Sequence, residues 1–387
     1  MLFAIANPAV PAVPPPPGMS FQRINLQVNQ RGNKPFQEGI QQYNQQDYQS
    51  ALASFSQAIV QNPKLADGYH RRGIVHFQLG NLQEAIDDFT QALTLTPKVG
   101  AIYLNRGIAR YSLENYEAAL EDFHRSVQLL PSSADAYANR ANARYALGDK
   151  QGAIEDFSFA IRLNPTNAST YSDRGAVRNK VGDTAGAIAD LNQAIKLNPN
   201  LAEAFSARAE AKIDAGDQVT ALDDFNQAIK LNPKSANTFN KRGKLHSTLD
   251  DKESALEDFN QAIVLRPNYM DAFNNRGRTY LFLSNEKAAL KDFDQAIKLN
   301  PNFTQAYFNR GKTRYLLDDQ SGAIKDFDQA ILLDPTYGKA YYNRGFVRSH
   351  LADESGARAD LQKAAELFKE QQRPTEYQRT LQLLEKL

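Results

Sequence analysis

The chain has 387 residues, 45 Lys and Arg against 44 Asp and Glu, a formal charge of +1 and no cysteine. The missing cysteine excludes disulfides and thiolate metal sites, and the balanced charge removes any overall electrostatic pull toward nucleic acid or an anionic membrane. No stretch approaches the ~18 consecutive apolar residues of a membrane-spanning helix.

The opening MLFAIANPAVPAVPPPPG has a short apolar start, an Ala4-Ile5-Ala6 resembling a cleavage site, and prolines from Pro14 to Pro17. It lacks a basic first segment, and an apolar run of about six residues is shorter than the ~7 to 15 of a signal core. Residues 1–31 are therefore read as a Pro-rich, disordered segment, with the remnant of an export signal as the other reading. The compartment, cytoplasmic or exported, stays open with that choice.

From Gly32 the chain repeats every 34 residues without insertion or deletion, with windows starting at Gly32, Ala66, Gly100, Ala134, Ala168, Ala202, Ala236, Met270, Thr304 and Gly338. A period of this length marks a repeat array, in which each unit packs mainly on its neighbours. The eighth place is always Gly or Ala, the twentieth always Ala, and the twenty-fourth Phe or Leu. Small residues let two helices approach closely, while the twenty-fourth-place side chain and an aromatic at the fourth place fill the seam.

The sixteenth place is Asp or Asn in every window, from Asp47 to Asp353, and is read as the N-cap of the second helix. A row of metal-binding carboxylates would need a convergence that one residue per repeat cannot supply, so no metal is expected. Prolines from Pro63 to Pro335 close the second helices, because the residue ahead of a proline avoids helical geometry. In the tenth window Lys369 replaces that proline, and the helix is expected to run on toward Gln371. A last amphipathic stretch, 375–387, carries Tyr377, Leu381, Leu384 and Leu387 at helical spacing and would cover the apolar edge of the final repeat.

Nine windows carry Arg at the seventh place and the same nine carry Asp at the twenty-third, whereas the first has Glu38 and Ser54. This shared absence predicts an Arg–Asp pair between the two helices of one repeat, with Arg174 reaching Asp190.

The spacing resembles the tetratricopeptide repeat in register over residues 32–371. The resemblance implies an all-α, right-handed superhelical solenoid of ten helix-turn-helix repeats, to which the amphipathic spacing of the last residues adds 372–387 as a capping helix. It also implies a non-enzymatic scaffold that binds a peptide or protein segment in its concave groove. By family geometry the second, fifth, ninth, twelfth and thirteenth places line that groove. In the first units these places hold Phe36, Tyr43, Ile74, Phe77 and Tyr111, an apolar, aromatic secondary groove. In the middle they turn polar, with Asn179, Lys180, Glu210, Asp214 and Lys244. Toward the end they include Arg278, Phe282, Phe308, Lys312, Tyr315, Tyr342 and Phe346, where aromatics sit beside cations.

A superhelical relative uses an inner row of sixth-place asparagines to hold the backbone of an extended peptide, a task that suits an amide's donor and acceptor. Here Asn275, Asn309 and Asn343 continue such a row after Asp173, Ala207 and Lys241 interrupt it. The peptide site is expected where these asparagines meet the aromatics and cations. The carboxylate-clamp pattern of chaperone-binding relatives, Lys at the fifth place with Asn at the ninth, occurs in no unit. No HExxH, GxxxxGK[ST] or GxSxG is present, so neither catalysis nor a cofactor is expected. The alternative is an RNA-binding helical-repeat protein using Lys180, Lys244, Arg278 and Lys312, against which the near-neutral charge argues.

Overall fold

Every 34-residue window folds into two helices because it carries two helix starts and two stops. The computed structural model describes residues 33–387. The expectations for residues 1–31 lie outside the described residues.

The described chain falls into two units, divided after Ala221. The first holds α1 (Lys34–Asn44), α2 (Tyr48–Gln61), α3 (Ala66–Gln78), α4 (Leu82–Leu95), α5 (Gly100–Ser112), α6 (Tyr116–Leu129), α7 (Ala134–Ala146), α8 (Lys150–Leu163), α9 (Ala168–Lys180), α10 (Thr184–Leu197) and α11 (Ala202–Asp214). The division falls within α12 (Gln218–Leu231). The second unit continues with α13 (Ala236–Thr248), α14 (Lys252–Leu265), α15 (Met270–Phe282), α16 (Glu286–Leu299), α17 (Thr304–Leu316), α18 (Gln320–Leu333), α19 (Gly338–His350), α20 (Glu354–Glu370) and α21 (Pro374–Leu384). No strand occurs among the described residues. Inside each unit the helices of a window pack on each other and on the next window.

The sixteenth-place carboxylates and amides cap as expected. Asp149 Oδ1 accepts from the Gly152 amide at 2.8 Å and Asp319 Oδ1 from Gly322 at 2.8 Å, satisfying an N–H that the helix cannot. Asn81 departs from the rule: it makes no side-chain cap, and its Nδ2 lies 3.4 Å from His76 Nδ1. The fifteenth place, on which the sequence reading was silent, turns the chain through the left-handed region in every window. Glycine takes it at Gly80, Gly148, Gly182 and Gly216, but Gln46, Glu114, Asp250, Ser284, Asp318 and Ala352 adopt the same positive φ with a β-carbon. Before the prolines the backbone is extended, as at Asn62 with φ −140° and ψ 90°.

The seam is as tight as the small residues imply. A β-carbon on Gly107 would lie 2.6 Å from Cε1 of Phe123, which is fully buried. Beside this seam, the seventh-place arginines Arg72, Arg106, Arg140, Arg174, Arg242, Arg276, Arg310 and Arg344 donate Nε and Nη2 to both oxygens of the twenty-third-place aspartate of their own repeat, at 2.5 to 3.0 Å. In the first window, where both are missing, Ser54 donates instead to Gln42 at 2.7 Å. The sequence reading missed the third hydrogen bond of the same guanidinium. Nη1 crosses to the twenty-fifth place of the preceding repeat, as in Arg106 to Thr90 at 3.1 Å and Arg276 to Asn260 at 2.6 Å. The signal was present, since that place is polar in every repeat from Ser56 to Asp328.

Without the closing proline, α20 runs to Glu370, and α21 packs against it with Thr380 fully buried and Tyr377, Leu381 and Leu384 half-buried. Among the described residues no helix is long and apolar enough to cross a membrane.

Candidate functional site

In the second unit the first helices of three successive windows bound a cavity of about 480 Å³. From α15 it receives Asn274, Arg278, Leu281 and Phe282, spaced along one helical face. From α17 it receives Gln305, Phe308, Asn309, Lys312 and Leu316, and Tyr337 and Lys339 close it at the start of α19. Phe282 is 65% exposed and Leu316 56%, so apolar surface is open to an incoming group. Phe308 is nearly buried; it packs edge-on against Tyr337 at 5.2 Å and forms the floor.

Three cations line this cavity and no carboxylate does. Burial pushes the Lys312 ammonium below its ordinary value, and the neighbouring charges of Arg278 and Lys339 push the same way. Burial raises the Tyr337 hydroxyl, helped by Asp334 and opposed by Arg278 and Arg373.

Of the expected site residues, Arg278, Phe282, Phe308, Asn309 and Lys312 come together here. Asn275, Tyr315, Tyr342, Asn343 and Phe346 stand outside the lining. Tyr315 packs edge-on against Phe346 at 5.7 Å, and Phe346 lies 4.5 Å from the His350 ring, so these aromatics form a cluster of their own. Sequence reasoning passed over Asn274, Gln305, Leu316, Tyr337 and Lys339. Four of them occupy inner places of their windows, the fifth (Asn274), second (Gln305 and Lys339) and thirteenth (Leu316), so the register pointed to them while attention went to aromatics.

The asparagine row has a structural task. Asn275 Nδ2 donates to Asn240 Oδ1 at 3.0 Å and Asn309 Nδ2 to Asn274 Oδ1 at 2.8 Å, each joining a sixth place to the fifth place of the preceding repeat. Where that fifth place is Phe308, Asn343 turns back to its own helix and donates to the Lys339 carbonyl at 2.8 Å. A peptide backbone would therefore meet amides that each already spend one N–H on the protein itself.

In the first unit Phe36, Ile74 and Phe77 belong to the core, with Phe77 fully buried, and only Tyr43 and Tyr111 remain half-buried. Tyr111 packs edge-on against Tyr116 at 4.9 Å. The polar middle is internally paired: Asn179 donates to Asp214 at 2.6 Å, and the Lys180 ammonium lies 3.7 Å from Glu210. Asp173 stands apart. Its Oδ2 is shut off from water without a hydrogen-bond partner, and burial, aided by Glu203, pushes its carboxyl up to about 7.

Tetratricopeptide-repeat family models match residues 66–99, 134–167 and 271–303, residues 236–269 and 304–337, and residues 178–236, and a TPR repeat model matches 41–80. Together these stretches cover well over half of the chain. A solved tetratricopeptide repeat protein from Parabacteroides merdae ATCC 43184 is 18% identical, with 64% of this chain and 98% of that one covered and a TM-score of 0.51, a likeness of fold. Yeast Tom70 aligns at 15% identity over 91% of this chain and 94% of its own, with a TM-score of 0.47. YrrB, a TPR protein with an unusual peptide-binding site, aligns at 22% identity over 49% and 98%, with a TM-score of 0.40. No curated protein matches the chain.

Proposed function

The chain belongs to the tetratricopeptide-repeat family, and from that premise we propose that it is a non-catalytic scaffold whose second unit holds a segment of another protein in the cavity between α15, α17 and α19. The observation that carries this reading is the cavity itself, about 480 Å³ with the exposed Phe282 and Leu316 at its walls. A volume in the range of about 300 to 1,000 Å³ accommodates one or two large side chains of a bound segment. Aromatic and arginine side chains, here the exposed Phe282 and Arg278, are the usual composition of an energetic anchor point. The Arg–Asp pairs join the two helices of each repeat and the amide ladder joins repeat to repeat through Asn309 and Asn274, while Phe282, Leu316 and Arg278 at the cavity take part in neither.

The test is panning of a randomised peptide library on the purified full-length protein, beside a Phe282→Ala/Leu316→Ala variant. Neither side chain belongs to the buried core, so the variant should keep its helical circular dichroism. Recovered peptides should bind the variant about ten-fold or more weakly, the loss of a hot spot. Equal binding to both proteins would place the partner elsewhere.

A further inference from the structure

We propose that this cavity recognises a side-chain carboxylate, so that its occupant is an acidic segment with a bulky apolar residue next to an Asp or Glu. The inference rests on the groove reading above and adds the chemistry of the partner.

Many of the arginines packed between the helices of this protein meet a carboxylate. The Arg310 guanidinium meets Asp326 at 2.6 Å and Asp294 at 2.7 Å, Arg314 meets Asp326 at 3.0 Å, and Lys252 meets Asp250 at 3.0 Å. Arg278, Lys312 and Lys339 differ in being gathered at one place: they line a single cavity whose lining contains no carboxylate, and none of them forms an ion pair among the described residues. Like charges gathered against apolar walls repel more strongly than in open water, and an anion placed among them removes that cost. Burial and its two cationic neighbours already hold the Lys312 ammonium below its ordinary value. Arg278 can grip a carboxylate through two parallel N–H bonds, while the ammonium groups act as point charges.

The apolar half of the site decides between anions. Phe282 and Leu316 present open hydrocarbon beside the charges, which a side chain flanking the acid can cover. A nucleic-acid backbone would need cations continuing along the face, but past Lys312 the next inner place of α17 is Tyr315, and past Lys339 those of α19 are Tyr342 and Phe346, with Tyr315 and Phe346 packed on each other. The chain's own first residues are a poor occupant: 1–31 contain Arg23 and Arg31 and no Asp or Glu.

The library should be displayed with both peptide termini blocked or embedded, so that only side-chain carboxylates can answer. Panning on the wild-type protein should enrich Asp and Glu severalfold over Lys and Arg, next to Leu or an aromatic. Panning on an Arg278→Gln/Lys312→Gln/Lys339→Gln variant should lose that enrichment. A recovered peptide with its acidic residue changed to the amide should bind wild type about ten-fold more weakly by fluorescence anisotropy. Should the triple variant fold poorly, Arg278→Gln alone, at an exposed position, should still reduce the preference. Peptides recovered without acidic enrichment, yet sensitive to Phe282→Ala/Leu316→Ala, would overturn the carboxylate and leave the groove reading standing. Recovered peptides insensitive to both variants would overturn both. Displacement of the selected peptides by oligouridine at comparable concentration would overturn the acidic segment in favour of a phosphate chain.

Discussion

Arg174 donates through Nε and Nη2 to the two oxygens of Asp190 at 2.8 and 2.6 Å, and its remaining nitrogen reaches Ser158 of the preceding repeat at 3.0 Å. Arg178 adds a further bond to Asp190 Oδ2 at 2.9 Å. Asp190 is 5% exposed, so two guanidinium groups depend on one carboxylate that water scarcely reaches. Asp190→Asn should cost about 3 to 5 kcal/mol, because the charges left behind stay partly buried without their counterion. Urea unfolding followed by circular dichroism measures it; a loss below about 1 kcal/mol would class the pair with ordinary surface bridges.

Ala352 holds a φ of +58° at the turn between α19 and α20. A β-carbon in the left-handed region costs roughly 1 to 2 kcal/mol, part of which glycine returns as greater freedom in the unfolded chain. Ala352→Gly should therefore raise stability by about 0.5 to 1 kcal/mol. The reverse change at Gly182, where φ is +86° and nothing lies within 4 Å of the added carbon, should lower it by a similar amount. Thermal melts of the two variants, moving in opposite directions, check the backbone origin of the effect.

Asp173 replaces an asparagine in the inner row, and its carboxyl rises from an ordinary 3.8 to about 7 through burial and then through Glu203. A carboxyl that resists ionisation only when folded makes the protein most stable below its unfolded value, and that stability is lost as pH rises from about 4 to 7. Asp173→Asn should remove this slope and gain roughly 2 to 4 kcal/mol at pH 8. Urea midpoints for both proteins from pH 4 to 8 are the measurement; parallel curves would mean that Asp173 finds water or a partner in solution.

His70 behaves with the opposite sign. Its ring is 1% exposed, Nε2 lies 2.9 Å from Asn105 Nδ2, and Nδ1 lies 3.9 Å from Asp67 Oδ1. An amide nitrogen only donates, so Nε2 must accept, and protonating it would set donor against donor. Burial first, with Arg71 in support, lowers the imidazole against the pull of Asp67. Its contribution to stability is complete above the ordinary 6.5 and is lost as pH falls below it. His70→Asn, which copies the Asn240–Asn275 contact of a later repeat, should make the fall in stability between pH 7 and 5 shallower. Identical slopes in urea titrations would sink the assignment.

Most of the architecture follows from residues close together in the chain. A capping carboxylate acts three residues away, a proline restricts the residue before it, and a thirty-four-residue repeat that never slips makes each local solution recur, so helix number, turns and the Arg174–Asp190 pair could be read in one dimension. The residues around the cavity were legible only as places in a register. Whether an inner place is a wall, a floor or a strut depends on the neighbouring repeat. Phe308 is buried because Tyr337 lies over it, whereas Phe282 is left open. Asn309 is tied because Asn274 offers an oxygen, and Asn343 turns back because Phe308 offers none. The sequence alone determined that this protein is a ladder of paired helices and where each rung begins and ends, through short-range caps, turns and stops. Only the tertiary structure decided which inner side chains face solvent and which cations stand without a carboxylate, because burial and charge pairing are set by groups one repeat away.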